Sequence, residues 1–261
     1  MIKGVLNVDK FIDNPNLPQH KVSLGIMDGR VRNSVISNLE NIGVNVIRTC
    51  RCEGLYDAVA YHPDMFMHHL GGDKIVVAPN APLSFISKLK DYGFNIIIGE
   101  KVICSKYPYD IAYNVARIGK FAICNIKHTD TVLLRLLNNS GVKLIDVSQG
   151  YAKCSICIVD ESVIITSDKG IFEILSKYNF DILNINPGNI ILTGANYGFI
   201  GGASGLLSKN IIAFTGDVTK HPNYKEINEF LYKNGKDMRI LDNQKLMDVG
   251  TFIPLKEYFI G

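Results

Sequence analysis

Asn-Ile-Gly-Val-Asn-Val at residues 41–46 returns in altered form four more times, as DYGFNI at 91–96, NSGVKL at 139–144, KYNFDI at 177–182 and KNGKDM at 233–238. The third residue of each copy is Gly43, Gly93, Gly141, Asn179 or Gly235. These are the two residue types that tolerate the left-handed backbone at a helix C-terminus. Four residues earlier stand Leu39, Leu89, Leu137, Leu175 and Leu231, and eight earlier Val35, Phe85, Leu133, Ile171 and Ile227. That spacing of four makes one apolar helix face. Two residues after the cap comes Asn45, Asn95, Lys143, Asp181 or Asp237, followed by Val46, Ile96, Leu144, Ile182 or Met238. Polar then apolar predicts a strand leaving each helix.

Ahead of each helix lies a short β-rich run: VSLGI from Val22, KIVVA from Lys74, FAIC from Phe121, SVIIT from Ser162 and IIAF from Ile211. Each unit therefore reads strand, helix, strand. The joining segments, DAVAYHPDMFMHHLGG (57–72), DIAYNVARIG (110–119), YAKCSICIVDE (151–161), IILTGANYGFIGGASG (190–205) and the C-terminal VGTFIPL (249–255), read as further extended chain. No proline-rich or glycine-serine linker divides them. The expectation is an α/β fold of five ββαβ-type units spanning residues 1–261 as one domain, its ends meeting in a ring.

The 261 residues are 47% hydrophobic and 20% charged, with 28 basic and 25 acidic side chains giving a net charge of +3. No block of either sign suggests a polyanion partner, so nucleic acid is not expected. Lys3 and Asp9 interrupt the N-terminal apolar stretch, and no segment reaches membrane-spanning length, so a cytoplasmic protein without a membrane partner is expected. Cys50, Cys52, Cys104, Cys124, Cys154 and Cys157 are too sparse for a disulfide scaffold and are expected to be reduced.

Five such units about a pseudo-fivefold axis resemble the pentein superfamily, the α/β propeller of guanidino-group-modifying enzymes. Locally, His62-Pro63-Asp64 ahead of FMHHLGG and DKIVVAPN is similar to the His-x-Asp hairpin of arginine deiminases and amidinotransferases. GYAKCSICIVDE, ITSDKG, NYGFIGGASG and FTGDVTKHP further resemble an uncharacterised family of pentein-like proteins found in clostridia. The superfamily resemblance implies joining hairpins that line a central cavity holding a cysteine nucleophile, a histidine acid/base and carboxylates gripping a guanidinium. It also implies a cysteine in the last hairpin. Here that stretch is Asp248-Val249-Gly250-Thr251-Phe252-Ile253-Pro254, with no cysteine.

On a predicted strand, His62 and Asp64 share a face. Cys154 is the one cysteine in a joining segment at a comparable place, and a fivefold ring lets hairpins two units apart face each other across the axis. The catalytic candidates are Cys154, His62 and Asp64. Lys153 alternates to the opposite face of the same predicted strand. Tyr56-Asp57 with Ala60-Tyr61-His62 parallels Tyr109-Asp110 with Ala112-Tyr113-Asn114, which makes Asp57, Asp110, Asn114 and Asn196 candidate contacts for a small polar or cationic ligand.

Other readings of the same residues stay open. Cys154 is also read as a buried small apolar side chain and His62 as a surface histidine. Cys50-x-Cys52 and Cys154-x-x-Cys157 have ligand-like spacing, yet both pairs fall in predicted strands, where an offset of three points to opposite faces. His62, Asp64 and His68 form another conceivable ligand set. Gly198, Gly201, Gly202 and Gly205 precede a strand rather than a helix, so they suggest a tight hairpin or close backbone approach instead of a phosphate loop. Neither metal nor cofactor is expected. The function implied by the resemblance is a cysteine-dependent hydrolase or transferase of a guanidino or amidine compound, the alternative being a non-catalytic binding protein of the same fold.

Overall fold

The repeated columns take the positions their chemistry requires. In the computed structural model, which describes residues 8–259, Val35, Phe85, Leu133, Ile171 and Ile227 are each fully buried. So are Leu39, Leu89, Leu137, Leu175 and Leu231, each at most 1% exposed. They project from the helices Asn33–Asn41, Leu83–Asp91, Thr131–Asn139, Lys169–Leu175 and Tyr224–Lys233. All five cap residues, Gly43, Gly93, Gly141, Asn179 and Gly235, have φ between 59° and 88°, the left-handed region that turns the chain out of the helix. Asp130 and Asp168 cap two of the N-termini, accepting hydrogen bonds from Leu133 N at 2.9 Å and Ile171 N at 2.8 Å.

Each unit builds one small sheet. In the second, Met67–Gly71 pairs antiparallel with Lys74–Val77, which after its helix pairs parallel with Asn95–Ile98. The order repeats with Ala116–Ile118, Phe121–Cys124 and Lys143–Asp146, then with Ile156–Asp160, Val163–Thr166 and Asp181–Asn184. It repeats again with Ser204–Ser208, Ile211–Phe214 and Asp237–Ile240. The remaining sheet is assembled from both ends of the chain. C-terminal Ile253–Phe259 lies between Val8–Phe11 and Val22–Met27, and Val22–Met27 pairs parallel with Asn45–Arg48. Among the described residues no helix is long and apolar enough to cross a membrane.

The joining segments depart from the expected extended chain. Pro63–Phe66 and Ala152–Ser155 are single helical turns, each followed directly by a strand, Met67–Gly71 or Ile156–Asp160. Pro63 explains the first: its fixed φ suits the first helical position, where its missing N–H is not needed. Residues 190–203 are mostly turns before the strand at Ser204. Cys50 and Cys52 lie in a loop beyond Asn45–Arg48, so neither is a strand residue.

Counting back two residues from the strand that opens each sheet gives one equivalent position per unit: Met65, Asn114, Cys154, Gly202 and Thr251. These positions are stitched together across units. Asn114 Nδ2 donates to Met65 Sδ at 3.4 Å and to Cys154 Sγ at 3.3 Å. Gly202 N donates to the Cys154 carbonyl at 2.9 Å, and Thr251 N to the Gly202 carbonyl at 3.0 Å. The joining segments of all five units thus converge on one place.

Candidate active site

The helical turns fix the candidate residues. His62 stands at the N-cap of Pro63–Phe66 and Asp64 within its first turn, so a tight bend rather than a shared strand face brings them together. Cys154 lies in the turn Ala152–Ser155 and Cys157 in the following strand. The Cys154 thiol donates to Asp64 Oδ2 at 3.0 Å and accepts from Asn114 Nδ2 at 3.3 Å. A ring nitrogen of His62, Cys154 Sγ and an Asp248 oxygen lie within 4.8 Å of one another, and all three residues are buried. The structure therefore unites Cys154, His62, Asp64 and Asn114, and adds Asp248.

Two carboxylates flank the imidazole. His62 Nε2 is 3.7 Å from Asp28 Oδ2 and Nδ1 is 3.8 Å from Asp248 Oδ1. Neither nitrogen has a hydrogen-bond partner among the described residues, although the side chain is 1% exposed. Asp248 is held by Phe199 N at 2.8 Å and Gly250 N at 3.0 Å. Asp28 is held by Arg30, whose guanidinium nitrogens approach its two oxygens at 3.1 and 2.6 Å and whose plane lies over Tyr61, 4.5 Å from the ring centre. Asp28, Arg30 and Asp248 are also the charged lining of a cavity of about 180 Å³, which His62, Cys154 and Asp64 do not themselves line.

Glycines make the close packing possible, as expected for the close-approach reading of GFIGGASG. A Cβ on Gly202 would stand 1.8 Å from Asp248 Oδ1, and one on Gly198 would stand 2.4 Å from Asp248 Cβ. Gly250, at φ 66°, leaves room for His62, whose Cβ a side chain there would meet at 2.4 Å. Thr251 has φ 74°, a costly conformation for a β-branched residue. Its hydroxyl accepts from Lys153 Nζ at 3.1 Å and donates to the Gly201 carbonyl at 2.9 Å.

Burial sets the proton affinities. It is the largest influence on Asp64, whose pKa rises to about 6 against the opposing pull of His62 and the Cys154 hydrogen bond. Burial, with Asp64 and Asp248 nearby, also raises the Cys154 thiol well above its ordinary value. Lys153 was expected on the far face of a strand; it is buried beneath the site, and desolvation lowers its pKa against the pull of Asp64 and Cys154.

The other candidates are dispersed. Asp110 is buried, accepts from Tyr151 Oη at 2.6 Å and has its other oxygen unpartnered; burial raises its pKa. Tyr151 in turn lies 3.5 Å from Tyr56 across their hydroxyls. Asp57 is exposed and pairs with Arg51 at 2.7 Å. Asn196 is exposed, three residues beyond the cavity-lining Thr193. His68 does not join His62 as a ligand set. It lines a separate cavity of about 20 Å³ with Asp64 and Lys153.

Asp28 and Asp248 were not singled out in the sequence. Asp28 follows directly on the parallel strand Val22–Met27, and ligands in α/β sheets collect at the carboxyl ends of parallel strands. Asp248 opens the C-terminal stretch in which the pentein resemblance implies a cysteine.

The sequence matches, over residues 26–253, the family described as "Family of unknown function (DUF6873)". The chain belongs to this family. No curated protein sequence matches it. Among solved structures, the fold is similar to that of an inosamine-phosphate amidinotransferase from Streptomyces griseus, with TM-score 0.55 and 11% identity over 90% of this chain and 91% of that one. It is also similar to an agmatine deiminase from C. jejuni, with TM-score 0.53 and 11% identity over 90% of this chain and 91% of that one. A DDAH from Pseudomonas aeruginosa complexed with citrulline aligns with TM-score 0.54 and 8% identity over 92% of this chain and 100% of that one. These are pentein superfamily members, and this chain shares their fold.

Proposed function

We propose that the protein modifies a small guanidino or amidine compound by covalent catalysis at Cys154, with Asp64 and His62 moving protons. The observation that carries this reading is the Cys154 thiol hydrogen-bonded to Asp64 at 3.0 Å, in a cluster with His62 and with Asp248, a buried carboxylate that with Asp28 also lines a cavity. A guanidinium is planar and cationic, so Asp28 and Asp248 suit it and exclude neutral analogues.

In the free protein the thiol keeps its proton. A bound cation offsets the negative field of the three carboxylates and favours the thiolate. The proton leaves Sγ for Asp64 Oδ2, and the sulfur lone pair attacks the central guanidinium carbon to form an S–C bond. As the tetrahedral adduct collapses, the C–N bond breaks and its electron pair takes a proton from His62, releasing the amine. Water or a second amine then attacks the amidino carbon and gives its proton to His62, the S–C bond breaks, and Sγ takes back the proton held by Asp64. Asn114, donating to Sγ, stabilises the thiolate.

The test is to incubate the protein with agmatine, arginine and methylated arginines and to follow amine release and the ureido or transferred product by mass spectrometry. Turnover lost in Cys154→Ser, with the fold intact by circular dichroism, supports the assignment; turnover retained in that variant removes it. A binding protein without chemistry is the second reading, favoured by the raised thiol and its 3% exposure. Under it, ligands bind and raise the melting temperature, but none is converted.

A further inference from the structure

The cluster also offers three donors of the kinds a thiophilic metal takes: an imidazole nitrogen, a cysteine sulfur and a carboxylate oxygen, within 4.8 Å of one another. We propose that His62, Cys154 and Asp248 form a site for a thiophilic divalent cation such as Zn²⁺, and that the ion and a guanidinium exclude one another there. Ion binding stands on the geometry alone; the exclusion rests on the function proposed above.

A tetrahedral Zn²⁺ with bonds of about 2.0–2.3 Å holds such donors roughly 3.4–3.6 Å apart. The His62 Nδ1 to Asp248 Oδ1 separation is 3.8 Å, close to that value. The remaining edges close with shifts of about 1 Å, within reach of side-chain torsions.

A second observation points to the same ligand. Buried imidazoles are normally hydrogen-bonded, yet both nitrogens of His62 are unpartnered among the described residues. If Nδ1 faces the ion beside Asp248, Nε2–H faces Asp28 Oδ2, now 3.7 Å away. Metal-bound histidines carry an orienting carboxylate at that place. Asp248 is already aimed by two backbone amides, from Phe199 at 2.8 Å and Gly250 at 3.0 Å. Of the three donors Asp248 also lines, with Asp28, the cavity of about 180 Å³.

Binding breaks the Cys154 S–H bond and forms an S–metal bond, with one proton released to buffer and no change in oxidation state. The sulfur lone pair that would attack carbon is then engaged by the ion, and Asp248 can no longer grip a cationic ligand. Occupation therefore silences the nucleophile, and removal of the ion restores it.

The experiment uses the full chain stripped of metal and titrated with Zn²⁺ against a chromophoric chelator, and with Co²⁺ for the thiolate-to-metal charge-transfer band. The expected result is one ion per chain, a band that Cys154→Ser abolishes and Cys52→Ser leaves, and affinity reduced about tenfold or more by Asp28→Asn. Absence of stoichiometric binding, or a band that survives Cys154→Ser, overturns the site. For exclusion, Zn²⁺ should protect Cys154 from a haloacetamidine and a chelator should reverse the protection; unchanged labelling of the Zn²⁺-loaded protein overturns it. Should the metal-free protein fail to react with amidines while still binding Zn²⁺ through Cys154, the catalytic reading fails and the ion site stands.

Discussion

The Cys154 thiol donates its hydrogen bond to the Asp64 carboxylate across 3.0 Å, joining residues ninety positions apart on two different units. Burial raises both partners, Asp64 to about 6 and the thiol well above its ordinary range, so the resting pair holds its proton on sulfur or on both groups. This pair makes the site chemically distinct from an ordinary buried cysteine.

Replacing Asp64 should therefore separate activity from stability. A carboxyl raised above its unfolded value stabilises the fold below about pH 4, and that contribution is lost as pH rises through about 6. Asp64→Asn removes the loss, so at neutral pH the variant should be more stable than the wild type by up to about 3 kcal/mol. Amidine modification of Cys154 should nonetheless slow by about a hundredfold, because the proton acceptor is gone. Urea titrations and labelling rates measure the two effects; a variant both less stable and equally reactive would contradict the assignment.

His68 and His69 should make the protein acid-sensitive. Burial lowers His68 to about 3 and His69 to about 4, each helped or opposed by smaller neighbouring charges. The unfolded chain takes up protons below about 6.5 while the folded chain does not. Stability present above that pH is lost as pH falls toward the folded values, at about 2 kcal/mol per histidine between pH 6.5 and 5. Asp64 contributes in the opposite sense and offsets only one of them. The melting temperature should fall across this range, and His68→Gln should flatten the fall; an unchanged slope in the variant would show His68 is not responsible.

Gly202 should not tolerate a side chain. Its Cβ would lie 1.8 Å from Asp248 Oδ1 and 2.3 Å from Asp248 Cγ. Gly202→Ala should cost about 1–3 kcal/mol and displace the carboxylate. At Gly141 a Cβ meets nothing within 4 Å, and φ 70° is the sole penalty. Gly141→Ala should cost about 1 kcal/mol and leave Cys154 reactivity intact. Paired melting and labelling measurements distinguish the two positions; equal effects on labelling would contradict the role given to Gly202.

Tyr151 should be worth more than its ring. Tyr151→Phe leaves Asp110 buried without the 2.6 Å bond to one oxygen, the other being unpartnered already. The expected loss is about 1–3 kcal/mol, read from the urea midpoint. Asp110→Asn in the same background should recover part of it; failure to recover would show that the carboxylate is not the source.

The fold was legible in the sequence because burial and backbone conformation leave local marks. The Leu and β-branched columns, the five left-handed caps and the polar-apolar exits each follow from one unit's own geometry. The site was legible only in part. His62, Asp64, Cys154 and Asn114 were named, but His62 and Asp64 were placed on a strand, whereas Pro63 starts a helical turn. A strand reading likewise puts Lys153 on the face opposite Cys154, whereas both lie in the helical turn Ala152–Ser155. Asp28 and Asp248 gain meaning only from packing against His62, a contact between residues dozens to hundreds of positions apart that no periodicity encodes. Asp57, set beside Asp110 by pattern, lies at the surface with Arg51.

The central claim, that Cys154 is a nucleophile poised for a cationic carbon centre, is tested most directly by comparing its alkylation by a haloacetamidine and by the neutral haloacetamide of the same shape. Peptide mapping identifies the modified residue. The account predicts that the cationic reagent modifies Cys154 about a hundredfold faster or more, and that Asp248→Asn collapses the ratio. Equal slow rates, with the exposed Cys104 modified before Cys154 by both reagents, would contradict it.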